Sequence, residues 1–138
     1  MTVLRNKKMR IVSFGHIPSF VGGRQSSGLA NVIFQLSYHL AKDDDVEMYL
    51  AATDVYVQEL HKDNLTIFGW TKSCLLKYAM KHPFVAVRLF FNALSCKIKY
   101  SPIVSVPGLF FKSLLLDYAI RKVEPQIVHL HGVVAMYY

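Results

Sequence analysis

Residues 9–42 read MRIVSFGHIPSFVGGRQSSGLANVIFQLSYHLAK, and this stretch decides the fold. Met9 to Phe14 is a short apolar run that ends at Gly15. A run of this length, bounded by turn residues, suits a strand buried on both faces, as in parallel sheets. Gly15 to Gly28 holds four glycines and Pro18 and reads as a loop. Leu29, Val32, Ile33, Leu36 and Leu40 then follow at helical spacing and form one apolar stripe. Ser26 or Ser27 is placed to cap that helix by accepting a hydrogen bond from a first-turn amide. Strand, glycine loop and helix together open a parallel α/β unit.

Downstream, Lys42 to Asp45 (KDDD) ends the helix as a solvated terminus. Val46 to Ala52 reads as a second strand and Leu65 to Gly69 as a third. Residues 71–123 read as helical, with breaks at His82-Pro83, Ser101-Pro102 and Pro107-Gly108. The last helical piece, about 109–123, carries Phe111, Leu114, Leu115, Tyr118 and Ala119 on one face. Glu124-Pro125 stops it, because proline cannot continue the ladder and disfavours helix just before itself. Ile127 to Leu130 is a fourth strand leading into His131-Gly132. The pattern predicts a Rossmann-like parallel sheet. In the order 3-2-1-4 the first and fourth strands are neighbours, and ligands bind beyond their carboxyl ends. The loop 15–28 and His131 then meet at one crevice.

The 138 residues amount to one domain, with residues 1–8 as a basic tail. Apolar residues make up 53%, and mean hydropathy is +0.28. Sixteen Lys and Arg against nine acids give a net charge of +7, which favours anionic partners. Cys74 and Cys96 lie in no ligand pattern and read as reduced thiols of a cytoplasmic protein. No run reaches the ~18 apolar residues of a spanning helix.

The glycine loop has two open readings, a plain connection or an anion-contacting loop. In the second, Gly22 and Gly23 let a ligand approach backbone amides, the helix N-terminus adds positive charge, and Arg24 offers a phosphate-binding fork. The loop matches neither a GxGxxG nor a Walker pattern, which disfavours a dehydrogenase or P-loop ATPase. His131 sits where a side chain reaches ligand. His129, inside the strand, reads as satisfied by packing. His16, His39, His61 and His82 show no metal spacing, and no metal site is expected. Lys72, Lys77, Lys81, Arg88, Lys97, Lys99 and Lys112 alternate with large apolar residues. They form either solvated faces of core helices or a membrane-surface patch. No nucleic-acid-binding signature accompanies them.

Met9-Arg10-Ile11-Val12, Gly22-Gly23, LANVIFQLSYHLAK and EPQIVHLHG, in this order and separation, resemble the N-terminal domain of family-4 retaining glycosyltransferases. The resemblance is weak between about 53 and 123. It implies residues 9–138 as an incomplete, acceptor-side domain of a GT-B fold. It also implies sugar transfer from a nucleotide-diphosphate donor without a dinucleotide cofactor. Gly22 and Gly23, with Arg24, match the donor-diphosphate position, and His131 matches the histidine that contacts the transferred sugar. The acceptor is a saccharide or lipid-linked saccharide for surface polysaccharide or glycolipid. Lys77, Lys81, Arg88, Lys97 and Lys99 are its expected acceptor or membrane surface, at the inner face of the cytoplasmic membrane. The family's C-terminal donor domain does not follow Tyr138. The chain is therefore expected to be a fragment, a truncated product or half of a split enzyme, inactive alone. The rival readings are a noncatalytic nucleotide- or anion-binding module and a basic peripheral membrane protein.

Overall fold

A computed structural model describes residues 8–23, 28–53, 55, 59–69, 71–100 and 105–131. Residues 1–7, Arg24, Ser26, Ser27, the Ser101-Pro102 break and Gly132 lie outside the described residues.

The first apolar run forms β1, Met9–Gly15. It pairs in parallel with β2, Val46–Ala52, from Met9↔Val46 to Gly15↔Ala52. On its other side it pairs in parallel with β5, Ile127–Leu130, from Ile11↔Ile127 to Phe14↔Leu130. β4, Leu65–Phe68, lies parallel to β2. These four strands stand in the 3-2-1-4 order expected from sequence.

A fifth strand escapes the sequence pattern. β3, Glu59–Lys62, pairs antiparallel with β4, so the full order is β3-β4-β2-β1-β5. Its sequence, ELHK, offers one apolar residue and no period to detect. The turn that returns it includes Asp63 at φ 53°, a left-handed conformation that aspartate tolerates better than most residues. The Tyr38 hydroxyl donates to Asp63 Oδ2 at 2.7 Å and ties this turn to the first helix.

Side chains alternate across the sheet and feed two cores. On one face Ile11, Met48, Leu50, Leu65 and Ile67 pack under α1, Gly28–Leu40. On the other, Val12, Phe14, Ala51 and Phe68 pack under α2, Lys72–Lys81, α3, Pro83–Tyr100, and α4, Val106–Val123. The chain leaves β1 first toward β2 and later returns to its other side at β5. Crossovers of one hand in opposite directions place the helices on opposite faces.

The apolar stripe read for α1 is corrected by about a quarter turn. Of its five residues only Ile33 is buried; Leu29, Val32 and Leu36 are exposed and Leu40 is half-buried. The sheet-facing side is instead Ala30, Ile33, Phe34 and Ser37, continued by Ala41 just beyond the helix. On this side the large side chains Ile33 and Phe34 alternate with the small Ala30, Ser37 and Ala41.

The break at Pro107-Gly108 is also corrected, since both residues lie inside α4. Proline in the first turn costs nothing, because its missing N–H has no intrahelical acceptor there. Ser105 caps the helix, its side-chain oxygen accepting from the Gly108 amide at 3.2 Å. Leu114, Leu115 and Ala119 of the expected face are buried, whereas Phe111 and Tyr118 are half-buried. Glu124, at φ 49°, ends the helix ahead of Pro125. Arg10 then fastens the entry to β5. Its amide donates to Gln126 Oε1 at 2.7 Å, and its guanidinium to the Val123 carbonyl at 2.6 Å.

Candidate functional site at the carboxyl edge of the sheet

Parallel pairing brings three chain exits together. The Thr53 amide donates to the Gly15 carbonyl, and the His131 amide to the Phe14 carbonyl, both at 3.1 Å. The exits of β1, β2 and β5 are therefore laced side by side.

Register and alternation decide what points out of this edge. His129 pairs with Ser13, so both lie on the α1 side of the sheet. His131, two residues on, returns to the same side. Its Nε2 stands 3.4 Å from Ser13 Oγ, and its ring lies 4.0 Å from that of His129, centroid to centroid. The expectation that His129 is satisfied by packing is corrected: it is exposed, on a strand whose other flank is unpaired among the described residues. Gly15 completes the corner. A Cβ there would come within 2.8 Å of Ile33 Cδ1 and 3.6 Å of His131 Cβ. Its bare backbone therefore makes room for Ile33 of α1, with His131 in ordinary contact beside it. Nearby, His16 Nδ1 and Thr53 Oγ1 lie 2.9 Å apart. Ser13, Gly15 and Thr53 were not singled out from sequence. The available signals were a small polar residue inside an apolar strand and a glycine at its end.

Burial, and then the neighbouring His129, lower the His131 pKa from its ordinary value of about 6.5. The ring is thus held neutral at neutral pH, as a hydrogen-bonding group and not a cation. Ser13 is buried, so its hydroxyl orients the ring and does not meet a substrate as a nucleophile. The linkage sign follows. The folded state resists protonation that the unfolded chain accepts, so this contribution to stability is intact above pH ~6.5 and is lost as pH falls through the lower folded pKa. Urea midpoints should therefore decline from pH 7 to pH 5, and His131→Gln should flatten that decline. An unchanged slope in the variant would assign the acid sensitivity elsewhere.

The glycine pair lies at the same end of the sheet but on the other flank. Gly22, at φ 99°, closes a single 3-10 turn, Ser19–Val21, and the Cβ it lacks would sit 3.8 Å from Leu60 of β3. β3 and β5 are opposite edges of the five-stranded sheet, four spacings or about 19 Å apart. The Gly22 amide donates to Ser19 O and the Gly23 amide to Pro18 O, both at 3.1 Å. These donors serve the loop itself. Between the two flanks stands the start of α1, where nothing lies within 4 Å of the Cβ position of Gly28. Arg24 falls outside the described residues.

Lys77, Lys81, Arg88, Lys97 and Lys99 are exposed, but on α2 and α3, which belong to the opposite face of the sheet. They form a separate surface from the histidines. No group of three or more His, Cys, Asp or Glu converges among the described residues. Cys74 and Cys96 are half-buried free thiols. A polar depression of about 400 Å³ at the amino edge is lined by three carboxylates, Asp43, Asp44 and Glu47, against the single cation Lys8, a balance that disfavours an anionic ligand.

No family model, curated protein or solved structure matches the chain.

Chemically, the carboxyl edge offers a neutral imidazole beside an exposed one and a helix N-terminus carrying about half a positive charge. Among the described residues no helix is long and apolar enough to cross a membrane.

Proposed function

We propose that the chain is the acceptor-side, Rossmann-like half of a GT-B-type retaining glycosyltransferase. The complete enzyme would transfer a sugar from a nucleotide-diphosphate donor to a saccharide or lipid-linked saccharide, in the cytoplasm. The observation that carries this reading is the His131–Ser13–Gly15 corner where the β1 and β5 exits meet, with the start of α1 beside it. In this reading His131, neutral and oriented by Ser13, hydrogen-bonds the transferred sugar. The first turn of α1 faces the diphosphate, where negative charge grows as the leaving group departs. Gly22 and Gly23 shape the loop that flanks the nucleotide, their amides being engaged within it. A C-terminal domain supplies the rest of the donor site, so turnover needs both halves.

Calorimetric titration of this chain with a nucleoside diphosphate and with the matching nucleotide sugar tests the reading. Both should bind saturably. His131→Ala should weaken the nucleotide sugar about threefold to tenfold, the worth of one hydrogen bond, and leave the free diphosphate unchanged. Absence of binding by both ligands would defeat the assignment of the donor diphosphate and sugar to this edge. Binding of both with no effect of His131 would favour a noncatalytic nucleotide module.

A further inference from the structure

We propose that His129 and His131 form a two-histidine site for a divalent transition-metal ion of the zinc class. The inference goes beyond the proposed function and does not rest on it, although both use His131.

Spacing and backbone bring the ligands together. In a strand, residues two apart point to one face, so His129-Leu130-His131 sets two imidazoles side by side. Their ring centroids are 4.0 Å apart, with the planes tilted by 49°. One ion can reach a nitrogen of each ring at this separation, because zinc–nitrogen bonds are about 2.0–2.1 Å long. The backbone beneath is fixed. β5 pairs with β1 from Ile127 to Leu130, and the His131 amide donates to the Phe14 carbonyl at 3.1 Å. Ligands on a paired strand hold their spacing better than ligands on a loop. His129 is exposed and His131 half-buried, so the pair is open to an ion from solvent. The exposed apolar residues of α3, such as Phe84 and Ile98, lie across the sheet and take no part.

Ser13 adds what a chance pair lacks. A histidine that binds metal through one nitrogen donates its other N–H to an oxygen, which fixes the tautomer. His131 Nε2 stands 3.4 Å from Ser13 Oγ, and Ser13 is 1% exposed. With the proton on Nε2, Nδ1 keeps its lone pair for the ion. The ligand type selects the metal. Imidazole suits Zn2+, Ni2+ and Cu2+, whereas Mg2+ and Ca2+ take oxygen ligands. No third His, Cys, Asp or Glu joins the pair among the described residues, so water completes the coordination. The spacing that speaks against a metal at His16, His39, His61 and His82 does not apply to neighbours on one strand face.

Calorimetric titration of the full chain with zinc chloride at neutral pH, without nucleotide, tests this. A single saturable event is expected with Zn2+ and none with Mg2+. Ser13→Ala should weaken the event about tenfold, with circular dichroism matching the parent. Loss of either ligand, in His129→Ala or His131→Ala, should cost more than that. His129 is exposed, so its variant should fold as the parent does. Three outcomes overturn the proposal. One is no saturable Zn2+ event. The second is an event that survives His129→Ala, as zinc held by the free thiols Cys74 and Cys96 would. The third is unchanged affinity in Ser13→Ala, which would reduce the pair to an adventitious chelate. The nucleotide titration is run in chelator, so the two readings fail separately.

Discussion

Phe14→Ala should lower unfolding free energy by about 3–5 kcal/mol, whereas Phe84→Ala should change it by less than about 0.5 kcal/mol. The two residues are chemically identical and differ only in surroundings. Phe14 is fully buried and packs with Leu114, Leu115 and Ala119, joining β1 to α4. Truncation removes the transfer free energy of the ring and leaves a cavity that strand and helix cannot both collapse into. Against a domain stability of roughly 5–15 kcal/mol, the loss is severe. Urea denaturation of the two variants, fitted with a common slope, measures the difference directly. If Phe14→Ala stayed within about 1 kcal/mol of the parent, α4 would not cover that face of the sheet.

The contrast between these phenylalanines also marks how far the sequence could be read. Four strands are legible because each is a compact apolar run between turn residues. Their order follows from handedness and chain economy, and with it the meeting of His131 with the end of β1. β3 is illegible because a short edge strand, alternately exposed and half-buried, needs almost no apolar residues. Helix orientation is harder still. In α1, Leu29, Val32 and Leu36 of the most hydrophobic stripe face solvent, while Ala30, Ile33, Phe34, Ser37 and Ala41 face the strands. The choice is set by which side chains, Ile33 and Phe34 among them, fill the space over the strands, and no count of apolar residues contains that shape. In α3 both sides are apolar, so periodicity alone cannot name the buried one. At the site, composition placed the glycine pair in a loop at the correct end of the sheet. It could not say that both amides turn inward to Pro18 and Ser19. The direction of an N–H depends on dihedral angles that a glycine leaves open.

Gly15→Val should lower stability by about 1–3 kcal/mol, with Ile33→Val restoring part of the loss. The glycine is required here for space, not for its dihedral angles, since among the described glycines only Gly22 has a positive φ. The first atom of any side chain at position 15 would meet Ile33 Cδ1 at 2.8 Å, while it would lie 3.6 Å from His131 Cβ, an ordinary contact. Ile33 is almost wholly buried, so its terminal methyl has little room to swing away. Replacing Ile33 by valine removes that methyl and nothing else. In the parent this deletion should cost about 0.5–1.5 kcal/mol, but in the Gly15→Val background it relieves a clash. The double-mutant cycle should therefore show a favourable coupling of about 0.5 kcal/mol or more, as expected for residues in contact. The same cycle separates packing from ligand binding. Relief at Ile33 returns α1 toward its seat but leaves the added side chain at position 15, whose Cβ lies 3.6 Å from His131 Cβ, at the mouth of the corner. Stability should recover in part while affinity for a nucleotide sugar stays low. Additive stability effects would mean that α1 does not rest on the end of β1, and a site built on that corner would lose its support.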